Sequence, residues 1–245
     1  MDTTCDGLLD KRVTIEQPKD GYRVAVDTVL LAAATPVQAG QKVLDLGCGV
    51  GGAMLCVATR VSGISITGIE IQKELAELCA VNITRNKFAT LDARCADAVS
   101  LPDDLIGIFD HVLMNPPYHD GARHDVSPVA QKRTANTEKE SDLVRWVASA
   151  AKALKPSGML TLIHRADRQA EIEALLGVVF GAIEALPVLP KTGAAPKRVI
   201  MRAKKGGMGG VRLCRNLVLH QADGRYTDEA EAALRHMKAL EFEDR

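Results

Sequence analysis

The 245-residue sequence lacks several features that would direct a chain to a particular class. No run of 18 apolar residues is free of charge, so nothing in it reads as a membrane span. The first residues, Met1-Asp2-Thr3-Thr4-Cys5-Asp6, have neither the basic nor the apolar region of a secretory leader, and nothing marks the chain for export. Six cysteines (Cys5, Cys48, Cys56, Cys79, Cys95, Cys214) form no C-x-x-C pair and no metal-type spacing. That argues against a disulfide framework or a zinc fold and points to buried thiols in a reducing cytoplasm. Internal repeats and long low-complexity tracts are absent. Net charge is absent too: Lys plus Arg is 31 and Asp plus Glu is 31, a balance that taken alone argues against nucleic acid.

What is present is ordinary globular material, 47% hydrophobic and 25% charged. The length suits one elaborated α/β domain over residues 1–245: an N-terminal extension (1–40), a core (41–203), and a tail (204–245) with a basic glycine-rich loop, a strand and a terminal helix. The charge is unevenly distributed. Between Val188 and Arg215 stand eight basic residues (Lys191, Lys197, Arg198, Arg202, Lys204, Lys205, Arg212, Arg215) and no acidic one, so the rest of the chain carries the compensating negative charge. Interrupted by Gly206-Gly207-Met208-Gly209-Gly210, this stretch reads either as a flexible cationic finger for phosphates or as a solvated hairpin.

Periodicity gives strands at Lys42–Leu46, Ile64–Ile71, Leu91–Cys95, Phe109–Met114 and Gly158–His164. Helices are expected at Gly52–Arg60, Gln72–Asn86, Lys139–Leu154 and Arg168–Leu176. This alternation predicts a doubly wound, mostly parallel sheet of seven strands, Rossmann-like in order. Ile183–Val188, Lys197–Ala203 and Arg212–His220 are strand-like without intervening helices and predict an antiparallel hairpin at the end of the sheet. Thr227–Leu240 reads as a helix, and Arg12–Gln17 with Gly21–Val26 as a hairpin across Pro18-Lys19-Asp20, leading into a helix near Asp27. Trp146, Phe180 and Phe109 read as core.

The densest signal is Val43-Leu44-Asp45-Leu46-Gly47-Cys48-Gly49-Val50-Gly51-Gly52, in which glycines follow a strand and open a helix. As G-x-G-x-x-G this is a weak dinucleotide fingerprint. Asp45 changes the reading, because a carboxylate repels a pyrophosphate and suits a cation. S-adenosylmethionine carries an ammonium and a sulfonium where NAD carries phosphates. Glu70 at the end of the next strand can accept from both ribose hydroxyls, and Asp97 after the third is placed for an adenine amino group. An NAD-dependent oxidoreductase remains the reading of the glycines alone.

Asn115-Pro116-Pro117-Tyr118 closes the fourth strand. A planar amino group has its lone pair delocalised, and attacks a sulfonium methyl only when the nitrogen is held. The Asn115 carboxamide oxygen and the Pro116 carbonyl can each accept one N–H, Pro116 and Pro117 stiffen the backbone, and Tyr118 can stack on a flipped-out base. With Asp45, Gly47, Gly49, Gly51, Glu70 and Asp97, this tetrapeptide resembles the class I S-adenosylmethionine-dependent methyltransferases of planar amino groups. Nearly the whole chain is similar to the bacterial tRNA1(Val) (adenine37-N6)-methyltransferase family, including Gly21-Tyr22-Arg23-Val24-Ala25-Val26-Asp27-Thr28-Val29-Leu30-Leu31 and Arg225-Tyr226-Thr227-Asp228-Glu229-Ala230. The resemblance implies a cytoplasmic enzyme that binds S-adenosylmethionine, uses no metal and methylates adenine N6 in RNA, with Asp27 and Thr28 over the cofactor and Asn115 beside it. Capping of their own helix is the plainer role for Asp27 and Thr28. Protein-glutamine and rRNA guanine-N2 methyltransferases share the chemistry and are the alternatives.

The segment His119–Glu140 is long for a strand-to-helix loop and reads as a substrate lid, with Arg123, Lys132 and Arg133 as RNA contacts beside Lys197, Arg198, Lys204, Lys205 and Arg212. His119-Asp120 and His124-Asp125 lack a further ligand for a metal.

Overall fold

The computed structural model describes residues 1–21, 23–117 and 140–244, with residues 140–142 as backbone only. Tyr22, and the expected contacts Tyr118, Arg123, Lys132 and Arg133, lie outside the described residues, as do His119, Asp120, His124 and Asp125.

Strands β1 (Thr3–Leu8) and β2 (Val13–Pro18) precede helix α1 (Val26–Ala34). Then β3 (Lys42–Leu46), α2 (Gly52–Arg60), β4 (Ser65–Glu70), α3 (Lys73–Arg85), β5 (Leu91–Cys95) and β6 (Phe109–Met114) alternate as expected. They are followed by α4 (Glu140–Ala153), β7 (Leu154–Arg165), α5 (Gln169–Val179), β8 (Phe180–Lys191) and β9 (Arg198–Lys205). Short strands β10 (Val211–Leu213) and β11 (Leu217–His220) and helix α6 (Asp228–Arg235) complete the order.

The main sheet runs β10-β8-β9-β7-β6-β3-β4-β5, with β11 also on β8. β9 is antiparallel to both β7 and β8, giving the expected hairpin. Among the described residues the sheet has nine strands instead of seven: eight strand-like stretches stand along the sequence, and the one at Arg212–His220 is two strands, both parallel to β8. One apolar cluster fills the face under α1, α2, α3 and α6, and a second fills the face under α4 and α5. Phe109 and Phe180 are buried in the second. Four of the six thiols (Cys48, Cys56, Cys79, Cys214) are buried and Cys5 and Cys95 are exposed. Among the described residues no helix is long and apolar enough to cross a membrane.

Two expectations at the termini are corrected. The N-terminal hairpin pairs β1 with β2, from Thr3 against Pro18 to Leu8 against Val13, and residues 23–25 form no strand. The free edge of β2 is occupied by α3: Asn86 and Asn82 accept from the N–H groups of Thr14 (2.9 Å) and Glu16 (2.7 Å). The same side chains donate back to the carbonyls of Thr14 (2.7 Å) and Glu16 (2.8 Å). Side-chain amides thus make the hydrogen bonds that a third strand would have made. At the other end, α6 stops at Arg235. Thr227 Oγ1 caps it by accepting from Ala230 N (3.2 Å), and beyond it Met237 adopts a left-handed φ of 59°. The chain then folds over α1, where Leu240 N donates to Ala33 O (2.9 Å).

Helix α1 is apolar over most of its surface, with Thr28 to Ala34 all buried, so its carboxyl end cannot be left to water. Arg60 from α2 donates to Ala32 O (2.9 Å) and Arg202 from β9 to Ala34 O (2.7 Å). The Arg202 guanidinium also covers the Phe242 ring at 3.6 Å.

Candidate active site

The strand order reverses where β3 lies between β4 and β6, and at that switch point the carboxyl ends of the strands open a cleft of about 600 Å³. Its floor is the loop between β3 and α2. Gly47, Gly49 and Gly51 have φ of 76°, 54° and 91°, all in the left-handed region that glycine occupies without strain. The N–H groups of Gly47 and Cys48 both donate to Ile69 O at 2.9 Å, which ties the loop to β4. A β-carbon on Gly49 would meet nothing within 4 Å, so a ligand can approach its backbone, whereas one on Gly47 would lie 2.4 Å from Cη2 of Trp146.

Asp45 is 3% exposed, and its Oδ2 accepts from Met54 N (3.1 Å) in the first turn of α2. Burial pushes its carboxyl up to about 7; the Met54 N–H opposes this, and nearby Glu70 adds to it. Glu70 holds the loop directly: Oε2 accepts from Gly49 N (3.0 Å) and Oε1 from Gln72 N (2.9 Å). Its carboxyl is also raised, chiefly by burial, against these backbone donors. Asp97 closes the third strand end, where Oδ1 accepts from Val99 N (2.9 Å). All three acids line the cleft, together with Gly47, Gly49, Asn115, Pro116 and Pro117.

Thr28 lines it as well, but Asp27 does not: its Oδ2 accepts from Arg198 Nε (2.6 Å). Neither caps α1, whose N-cap is Ala25 without a side-chain bond. Gly51 sits behind the cleft as the N-cap of α2, where a β-carbon would lie 2.7 Å from Cys79 Sγ. Trp146, expected in the core, lines the cleft with Arg145. Apolar spacing on α4 could not separate a core position from one at the rim, and no other signal in the sequence marked it.

The basic stretch departs most from expectation. The glycine loop is folded onto the sheet, not extended as a flexible finger: Ala182 N and Ile183 N donate to Gly209 O (3.3 Å) and Gly210 O (3.2 Å). Lys205 donates to Leu154 O (2.7 Å), and Arg212 pairs with Glu184 and Asp244. Lys204 and Lys205 pair across to Gly181 and Phe180, at the start of β8, so they lie at the sheet end opposite Asn115. Arg198 lies at the cleft end, bound to Asp27.

A family model described as methyltransferase small domain matches residues 22–188. The chain belongs to the methyltransferase small domain family. A curated relative in this family, the tRNA1(Val) (adenine(37)-N6)-methyltransferase of Porphyromonas gingivalis, is 30% identical over 232 residues, 89% of each chain. The protein of that name from Bacteroides fragilis is 29% identical over 196 residues, 78% of this chain and 81% of its own. Among solved structures, a predicted O-methyltransferase from Agrobacterium tumefaciens superposes with a TM-score of 0.73 at 24% identity, over 88% of this chain and 98% of that one. The 16S rRNA N2 G1207 methyltransferase of T. thermophilus, in complex with AdoMet and guanosine, gives 0.60 at 20%, over 83% and 50%. As a methyltransferase small domain protein, the chain is a methyltransferase with a Rossmann-like fold.

Proposed function

We propose that this methyltransferase uses S-adenosylmethionine to methylate the exocyclic N6 of an adenine in RNA, most simply a tRNA. The observation that carries the reading is that Asn115-Pro116-Pro117 and the acids Asp45, Glu70 and Asp97 line one cleft. The residues fit the cofactor: the buried carboxylates of Asp45 and Glu70 suit a cation, and Gly49 leaves its backbone open to a ligand. When bound, the cofactor supplies a methyl group on a sulfonium.

The chain's own residues divide the work. Asp45 faces the ammonium, Glu70 the ribose hydroxyls and Asp97 the adenine amino group, with Thr28 closing over them. The Asn115 carboxamide oxygen and Pro116 carbonyl accept the two N–H groups of the target nitrogen and direct its lone pair, a positioning effect. No strong base is required, because the nitrogen becomes acidic only once methylated and the proton leaves to solvent. RNA as substrate class rests on the activity for which the relatives are named.

Nucleoside mass spectrometry of undermethylated tRNA incubated with the enzyme and labelled cofactor tests the reading. N6-methyladenosine is expected, and it should be lost in Asn115→Ala while S-adenosylhomocysteine still binds. N2-methylguanosine, or label entering only protein glutamine, would replace adenine as the acceptor.

A further inference from the structure

The eight cations between Val188 and Arg215 fall into two groups. Five have acidic or carbonyl partners: Arg198 with Asp27, Arg202 with Ala34 O and Leu240 O, Lys205 with Leu154 O, Arg212 with Glu184 and Asp244, and Arg215 with Glu243 (3.1 Å). Arg198, Arg212 and Arg215 are thus balanced by carboxylates, and Arg202 and Lys205 are held by carbonyl oxygens, so five of the eight cations are already engaged within the fold. Lys191, Lys197 and Lys204 are exposed and have no acidic partner among the described residues.

Strand direction separates these three. β9 is antiparallel to β7, with Arg198 opposite Arg165 at the cleft end and Lys204 opposite Met159 at the far end. At about 3.4 Å per residue, Lys204 lies some seven residues, roughly 24 Å, from Lys197. Lys191 and Lys197 flank the exposed turn between β8 and β9. β9 neighbours β7, and β7 neighbours β6, which delivers Asn115. Met114, one residue before Asn115, is in register with Leu162, Met201 and Ala185, so Lys197 stands two strand spacings and three residues from Asn115, roughly 14 Å, and Lys191 three spacings and five residues, roughly 22 Å. His220, opposite Lys191 on β11, stacks on Tyr226 with ring centroids 4.8 Å apart, adding an aromatic pair to the same corner.

Building on the RNA reading, we infer that the β8–β9 turn, through Lys191 and Lys197, is the surface that holds the phosphate backbone of the substrate RNA, and that the glycine-rich loop with Lys204 is not. Two mobile ammonium groups, free of acids and beside the cleft, suit the flexible, sequence-independent contact that backbone phosphates offer. A folded RNA resting there would present a nucleotide only a short span away to Asn115.

Binding of an unmodified tRNA transcript, measured against KCl concentration, tests this for wild type, Lys191→Ala/Lys197→Ala and Lys204→Ala. Removing two phosphate contacts should weaken binding and make the salt slope shallower by about 1.4–1.8, while Lys204→Ala should keep both the wild-type affinity and slope. Unchanged thermal midpoints would exclude unfolding, since none of the three side chains bonds to another group among the described residues. A double variant with the wild-type slope, or a Lys204→Ala loss of equal size, would overturn the assignment while leaving RNA methylation standing. A wild-type enzyme that neither binds nor methylates tRNA would overturn both.

Discussion

The edge of the Trp146 indole stands against Gly47, so close that a β-carbon there would fall 2.4 Å from the ring. Gly47 is therefore constrained twice, by its φ of 76° and by an aromatic side chain from α4. Gly47→Ala should weaken S-adenosylhomocysteine binding at least tenfold and cost stability, read by calorimetry and thermal melts. In a Trp146→Ala background the same change should cost less, leaving mainly the backbone strain of about 1–2 kcal/mol. Equal costs in the two backgrounds would show that the contact has no energetic weight.

Trp146 is the only tryptophan in the chain and lines the cleft, so its fluorescence reports on ligand binding. The Asp45 carboxyl, raised to about 7, must ionise before it can attract an ammonium. Affinity for S-adenosylhomocysteine, titrated by this fluorescence, should level off above about pH 7 and fall towards tenfold per unit below it. Asp45→Asn should bind weakly with no such dependence. In the ligand-free protein the effect runs the other way. The folded state keeps a proton that the unfolded carboxyl gives up at its ordinary value of 3.8, so this group's contribution to stability declines as pH rises from about 4 to 7. The ligand-induced rise in melting temperature should accordingly grow with pH.

Asn82 is fully buried and links three segments: it accepts from Glu16 N and donates to Glu16 O and to Val50 O in the glycine loop (3.0 Å). Asn82→Ala leaves buried backbone groups without partners and should cost roughly 2–4 kcal/mol, seen as a lower urea midpoint. Ligand affinity should fall with it, because Val50 loses its tether; Asn86→Ala, which touches only β2 and its own helix, should lower stability alone.

What could be read in the sequence was what is locally encoded. The β3 loop, Glu70, Asp97 and Asn115 were legible as positions at or just past strand ends, and the parallel sheet brings those ends together in one cleft. The N-terminal hairpin did not, because its second edge is taken by two asparagines more than sixty residues away. Nor did the state of the basic stretch, since counting charges along a chain cannot show that carboxylates and backbone carbonyls distant in sequence engage most of them. Trp146, read as core, packs against the second cluster and also lines the cleft, a double placement that its residue type alone does not reveal.

The clamp on the carboxyl end of α1 bears on how the molecule is made. Ala32, Ala33 and Ala34 are made before the groups that bond their carbonyls, Arg60, Leu240 and Arg202, and the last two lie more than 160 residues further along the chain. The end of the helix that carries Thr28 to the cleft can therefore be tied down only after those segments have been made.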